Sequence, residues 1–482
     1  MKSIKINSTA LCLVLSLNLI TDASADPLVL SRPSGSKPPV NETKAAQSMV
    51  ADRADSQQDS AEGFVDGSHA TLNLRNYYTR QSTFGTTNLS IQKPWGIEST
   101  DRRTTWIQAA MLDYRSGYTQ GALGFGVDLS VWGATNLERG KGAVANGGDR
   151  TLVKNNGEAV SDWSRIAVSD VRLRLSNTEL KAGRFTTDNP MLRSKDNRSL
   201  PSTFQGFNLV SSESAYFTLH GGYVTHVIPR TGTDRERFVS TFGNRSFHGD
   251  SISYAGVNVK EWNGLAASLF ASRFENVWDR YFLGLTYNLI NSNGFAWKNK
   301  ATLYRTRDQG ARELGYIDNT IASVATTFSK DIHSFTMAYQ QVFGNEYFDY
   351  QYETNANLNN IALYSDFNGP NEKSLMVKYD TNFIGYGVPG LTTSVWYAKG
   401  WDIDGTHYDG DRNGAHTGYN VRGLDGVMHW EVGFSAAYTV QSGSLKDSVV
   451  RTTLYHHRGE PGQIDGSFNE IRLVTNIPLE LF

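Results

Sequence analysis

Cysteine is almost absent from this chain: Cys12 is the single one among 482 residues. It falls within an expected export leader, so the processed chain would have none, and disulfides and thiolate metal sites are excluded from it. Long apolar runs are scarce too. The longest, residues 10–20, is shorter than the ~20 residues a spanning helix needs, and the mean hydropathy is −0.42. Neither sign of charge dominates: 46 Lys and Arg stand against 48 Asp and Glu, which leaves no bulk basic character to hold nucleic acid. Soluble-enzyme signatures are missing as well, with no H-E-x-x-H and no G-x-S-x-G. Residues 133–141 resemble a phosphate loop only loosely, because the spacing is wrong and no Ser or Thr follows Lys141. His456 and His457 are adjacent, and neighbours on a strand point to opposite faces, so the pair reads as structural or interfacial. No catalytic residue, cofactor or metal is expected.

The leader is built from Lys2 and Lys5, the short apolar run, and Ala23-Ser24-Ala25, a small-residue cleavage site. Removal of residues 1–25 would leave a chain starting at Asp26. Residues 26–62 are rich in Ser, Pro, Lys, Asp and Gln and show little periodicity, so they read as a flexible N-terminal segment. From Gly63 to Phe482 one compositional regime holds, hence one domain.

That domain is dominated by strand-period alternation. Trp430, Val432, Phe434, Ala436 and Tyr438 share one face, while Glu431, Gly433, Ser435 and Ala437 share the other. Leu123, Phe125, Val127, Leu129 and Val131 alternate with Gly124, Gly126, Asp128 and Ser130 in the same way. Short Gly-containing connections such as Asn263-Gly264 and Asn293-Gly294 suit hairpins. Longer polar stretches at 136–162, 229–250 and 401–426 separate other strands. Short turns alternating with long loops, and one greasy face per strand, predict an all-β transmembrane antiparallel barrel whose apolar face meets outer-membrane lipid. Two other readings of the alternation stay open: a secreted soluble β-sandwich binding protein or adhesin, and a barrel-embedded hydrolase.

Several segments carry a resemblance to a known family. Leu72-Asn73-Leu74-Arg75-Asn76-Tyr77-Tyr78, Ser116-Gly117-Tyr118-Thr119-Gln120-Gly121 and Gly124-Phe125-Gly126-Val127-Asp128 are similar to the first three strands of the OprD-type porins, the outer-membrane carboxylate channels of Gram-negative bacteria. Thr178-Glu179-Leu180-Lys181, Ser199-Leu200-Pro201 and Thr203-Phe204-Gln205-Gly206 resemble that family's pore-narrowing strand and loop. Tyr364-Ser365-Asp366-Phe367-Asn368-Gly369-Pro370 and Asp402-Ile403-Asp404-Gly405-Thr406 are the most specific matches. The resemblance implies an 18-stranded, monomeric barrel with infolded extracellular loops. It also implies passage of small carboxylates, such as organic acids or amino acids. The terminal aromatic Phe482, common in barrels handled by the outer-membrane assembly machinery, makes that machinery an expected partner.

Alternation places Arg75, Arg172, Arg174, Lys378 and Arg451 on wet faces. An outward Lys or Arg at mid-bilayer would cost roughly 2–4 kcal/mol, so the lumen is favoured. There the resemblance implies a basic track for substrate. Trp396 stands where the family often has arginine, and Thr453 where a second base often follows. Lys298 and Lys300 add charge elsewhere. The ladder is therefore altered, away from basic amino acids and toward aromatic carboxylates. Residues 193–203 and 345–360 are the expected constriction, with Arg198, Asp349, Tyr350 and Glu353 as its charged and aromatic members.

Overall fold

The computed structural model describes residues 55–93, 96–138, 160–244, 246–410 and 421–482. The export leader and most of the expected flexible segment lie outside these described residues. Twenty strands follow in order. The first ten are β1 (His69–Thr83), β2 (Leu89–Lys93), β3 (Gly96–Thr100), β4 (Arg102–Arg115), β5 (Leu123–Asn136), β6 (Asp162–Leu175), β7 (Thr178–Phe185), β8 (Thr203–Ser211), β9 (Phe217–Ile228) and β10 (Ile252–Trp262). The second ten are β11 (Leu265–Phe274), β12 (Trp278–Ile290), β13 (Phe295–Asp308), β14 (Asp318–Lys330), β15 (His333–Phe343), β16 (Lys373–Asn382), β17 (Leu391–Ile403), β18 (Val427–Thr439), β19 (Val449–Gly459) and β20 (Phe468–Glu480). All but β2 and β3 form one 18-stranded antiparallel sheet, and β1 closes it by pairing with both β4 and β20. The small β2–β3 hairpin lies in the loop after β1.

Burial follows the alternation but is inverted relative to a soluble fold. On β18, Val432 and Phe434 are 38% and 40% exposed, whereas Glu431 and Ser435 are 0% and 6% exposed. The same inversion holds on β5, where Leu129 and Val131 are exposed and Ser130 and Trp132 are buried. An apolar exterior around a closed sheet is the arrangement that lipid requires, since closure leaves no strand edge unpaired. A soluble sandwich would bury its apolar face.

Turns and loops segregate to opposite ends. Asn263 and Gly264 join β10 to β11, both with positive φ (51° and 83°), the geometry of a two-residue hairpin loop that favours Asn-Gly. At the other end are the longer connections, among them 186–202, 229–251, 344–372 and 460–467. The polar stretch expected at 401–426 starts later, because β17 continues to Ile403 through an irregularity after Gly400, with Asp402 at φ 57°.

The inner wall departs from the simple expectation of a wet face. Toward the loop end of β8–β14 it is lined by buried Phe204, Phe270, Phe274, Trp278, Phe282 and Tyr304, packed in one cluster with Leu192, Phe238 and Phe348 from the loops. Fully burying one large apolar side chain is worth roughly 1.5–3 kcal/mol. The infolded loops are thus held by a dry core of their own inside the barrel. Alternation tells inside from outside but not which inside positions a distant loop will cover.

Candidate functional site

Three loops interlock in the lumen. Single β-bridges join Ser194 to Thr354 and Ser240 to Gln351, so the 344–372 loop is stitched to both 186–202 and 229–251. Arg230 binds Glu353 at 2.7 Å, and its backbone N–H also donates to that carboxylate at 3.0 Å. Ser202 donates to the Glu353 carbonyl at 2.8 Å, which adds the third loop. Burial acts to raise the Glu353 pKa, but Arg230 outweighs it through charge and hydrogen bonds and holds the carboxyl down at about 2.

The four expected constriction residues lie in or against this lattice. Asp349 accepts N–H bonds from Thr241 at 3.1 Å and Phe242 at 3.0 Å, as well as one from the Ser240 hydroxyl, and so grips the 229–251 loop. Tyr350 donates its hydroxyl to Asp366. Asp349, Tyr350 and Glu353 are all buried, turned into protein. Arg198 is half-buried and donates to the Tyr77 hydroxyl on β1 at 3.1 Å.

The wall residues divide into sealed and open groups. Arg75 is bidentate to Asp196 at 2.5 and 3.1 Å and donates to Asn476 at 2.7 Å, tying β1 to β20 and to the 186–202 loop. Arg172 is buried against Asp128 at 2.9 Å and over the Tyr118 ring at 4.5 Å. Arg174 lies over the same ring at 3.8 Å and donates to Gln58 at 2.9 Å. Gln58 itself donates to the carbonyls of Thr119 and Gly121, so the end of the N-terminal segment docks at the turn end of the barrel. Lys378 pairs with Asp380 at 3.3 Å, and Arg451 is half-buried on β19. Trp396 faces inward but is 1% exposed. Its ring fits over Gly433, where an added Cβ would come within 2.0 Å, and its N–H donates to Glu431 at 2.9 Å. The segment around Phe367 covers it.

Lys300 is exposed on the inner face of β13, within electrostatic range of Lys298, Lys378 and Arg193. Arg193 pairs with Asp188 at 2.5 Å and Lys378 with Asp380, so Lys298 and Lys300 supply the excess positive charge, which attracts anions into the lumen. The partners of the sealed groups were not visible in sequence. Arg230 and Glu353 are 123 positions apart, and nothing in their local spacing pairs them.

A closed barrel with an apolar exterior and a loop-narrowed, charged lumen defines an outer-membrane porin. The chain matches the family described as outer membrane porin, OprD family, over residues 62–481. It is 35% identical to Porin D of Pseudomonas aeruginosa over 447 residues, covering 91% of this chain and 96% of that protein. Among solved structures, it is 43% identical to OccD3 (OpdP) of P. aeruginosa, with a TM-score of 0.78 over 89% of this chain and 95% of that one. It is 27% identical to P. aeruginosa OpdK, solved with vanillate, with a TM-score of 0.74 over 87% of this chain and 100% of that one. The chain belongs to the OprD family: a substrate-selective channel of the Gram-negative outer membrane, not an enzyme.

Proposed function

We propose that this porin passes small carboxylate-bearing solutes, aromatic or other organic acids or amino acids, into the periplasm as a monomer, after export by the 1–25 leader. The observation that carries this reading is Lys298 and Lys300 beside Lys378 and Arg193, a group whose positive charge exceeds the negative charge of Asp380 and Asp188, the carboxylates that pair with the latter two. In this reading Lys298, Lys300 and Lys378, together with Arg174 and Arg451 on other parts of the wall, form the solute path. Arg75 and Arg172, already saturated by carboxylates of the protein, hold the wall and loops in place. Trp396, covered by the 344–372 loop, shapes the wall without touching solute. The relative solved with vanillate, an aromatic carboxylate, supports the same solute class.

The test compares uptake of vanillate with that of vanillyl alcohol, its neutral counterpart, into proteoliposomes. Lys298→Gln combined with Lys300→Gln should slow the acid several-fold, leave the alcohol unchanged, and shift bilayer ion selectivity toward cations. Equal losses for both solutes, or no loss for either, would remove the basic cluster from the function.

A further inference from the structure

His429 on β18 and His457 on β19 are inward-facing neighbours, 1% and 0% exposed, covered by Phe367 and Tyr364 of the 344–372 loop. The outer nitrogen of each ring is committed. His457 Nδ1 lies 2.8 Å from the Gly466 carbonyl, which can only accept, so this nitrogen carries a proton. His429 Nε2 lies 2.6 Å from the Glu372 carboxylate, whose other oxygen accepts from the Gly369 N–H at 2.7 Å. With the outer nitrogens protonated and both rings neutral, His429 Nδ1 and His457 Nε2 face one another as acceptors 3.1 Å apart, and the Gln463 amide nitrogen lies 3.2 Å from His429 Nδ1 and 3.1 Å from Asp465 Oδ2. Gln463 can serve only the His429 nitrogen, so the His457 Nε2 lone pair still faces an acceptor unless a proton or a metal ion sits between the rings. Asp465 Oδ2, from the 460–467 loop, is 3.5 Å from His429 Nδ1, and ligand atoms of all three side chains lie within 4.8 Å of one another.

We propose that His429 Nδ1, His457 Nε2 and Asp465 Oδ2 form a site for a divalent transition-metal ion such as Zn²⁺. Two imidazoles and a carboxylate suit that class of ion. Ligand bonds of about 2.0–2.1 Å at tetrahedral angles put neighbouring donors about 3.3 Å apart, close to the 3.1 Å between the two ring nitrogens and the 3.5 Å from His429 to Asp465, while His457 and Asp465 stand within 4.8 Å and would close on the ion. Glu372 and the Gly466 carbonyl occupy the outer positions that orient metal-bound histidines. Asp465 retains 21% side-chain exposure, which gives an entry side. Filled, the site ties the 460–467 loop to the barrel wall and, through Glu372, to the base of the 344–372 loop that narrows the lumen. The proposal does not depend on which solute the channel carries.

The experiment is titration of Zn²⁺ into untagged, chelator-stripped, detergent-folded protein, read by calorimetry and by metal content after gel filtration. About one tightly held Zn²⁺ per chain is expected. His457→Ala should abolish it, Asp465→Asn should weaken it about tenfold or more, and Glu372→Gln should weaken it by a similar factor. His456→Ala, on the opposite face of the same strand, should leave it intact. Heat-dependent gel mobility checks that each variant is folded, and Asp465 lies in a surface loop where substitution spares the barrel. No bound Zn²⁺ in the wild type would overturn the proposal and leave a proton shared by the two rings. Equal binding by wild type and Asp465→Asn would overturn it as well.

Discussion

Arg230 and Glu353 meet 2.7 Å apart with side chains only 4% and 1% exposed, a buried ion pair between two loops inside the lumen. Removing one partner of such a pair strands a buried charge at a cost of roughly 3–5 kcal/mol. Glu353→Gln is therefore expected to loosen the constriction while the barrel itself still assembles. Planar-bilayer recording should show higher and noisier single-channel conductance. The pH dependence has a definite sign. The folded-state pKa of Glu353, about 2, lies below its ordinary 4.5, so the pair's contribution is complete above pH 4.5 and is lost as pH falls toward 2. Conductance noise should rise across that window in the wild type and be flat there in Glu353→Gln.

The segment 355–360 rests on the wall through bonds from the Asn357 N–H to Tyr304 at 2.9 Å and from the Asn359 N–H to Ser323 at 2.8 Å. A barrel this wide encloses water unless loops fill it. Deleting 355–360 should raise conductance. Unchanged conductance in a folded deletion variant would mean that other loops set the narrowest diameter.

Gly433 is expected to reject a methyl group. Its Cβ would lie 2.0 Å from the Trp396 ring, which is fixed by Glu431 and by the covering loop. Overpacking of this kind costs typically 1–3 kcal/mol. Gly433→Ala should lower the temperature at which the heat-dependent mobility shift occurs. Trp396→Gly introduced alongside it should relieve the clash, so a double variant no less stable than Trp396→Gly alone is the expected result.

Phe434 faces lipid near the middle of β18, 40% exposed. An arginine there costs roughly 2–4 kcal/mol at the bilayer midplane. Phe434→Arg should reduce the fraction of barrel recovered in outer-membrane preparations, whereas Phe434→Leu should not. Full recovery of the arginine variant would contradict this face's contact with hydrocarbon.

The barrel was legible because alternation is a local signal: Val432 against Glu431 already separates lipid from lumen. The Asn263-Gly264 turn was legible for the same reason, since its backbone demand is met by those two residues alone. The fate of the basic residues was not. Whether Arg75 faces solute or protein depends on Asp196, which arrives from a loop 121 positions away. Parity marked Trp396 as inward, but only the loop folded over it decides that it is covered. Likewise His429 and His457 share inward parity with Glu431 and Tyr455 on neighbouring strands, a signal the adjacent pair His456-His457 obscured. Sequence period reports a residue's face, whereas its partner is set by loop paths of a hundred residues or more.

The seam between β1 and β20 has a kinetic meaning. Arg75 on the first strand and Asn476 on the last are hydrogen-bonded across 401 positions of chain, and every other barrel strand lies between them. Pairing at such separation carries a large loop-closure cost and forms late. Until it forms, β1 and β20 each present an open edge able to pair with another chain. Because Arg75 also holds Asp196 of the 186–202 loop, the event that shuts the cylinder and the event that sets its inner loop share one side chain. A barrel caught before closure would thus be wide open as well as adhesive, a reason for the cell to keep it chaperoned until its two ends meet.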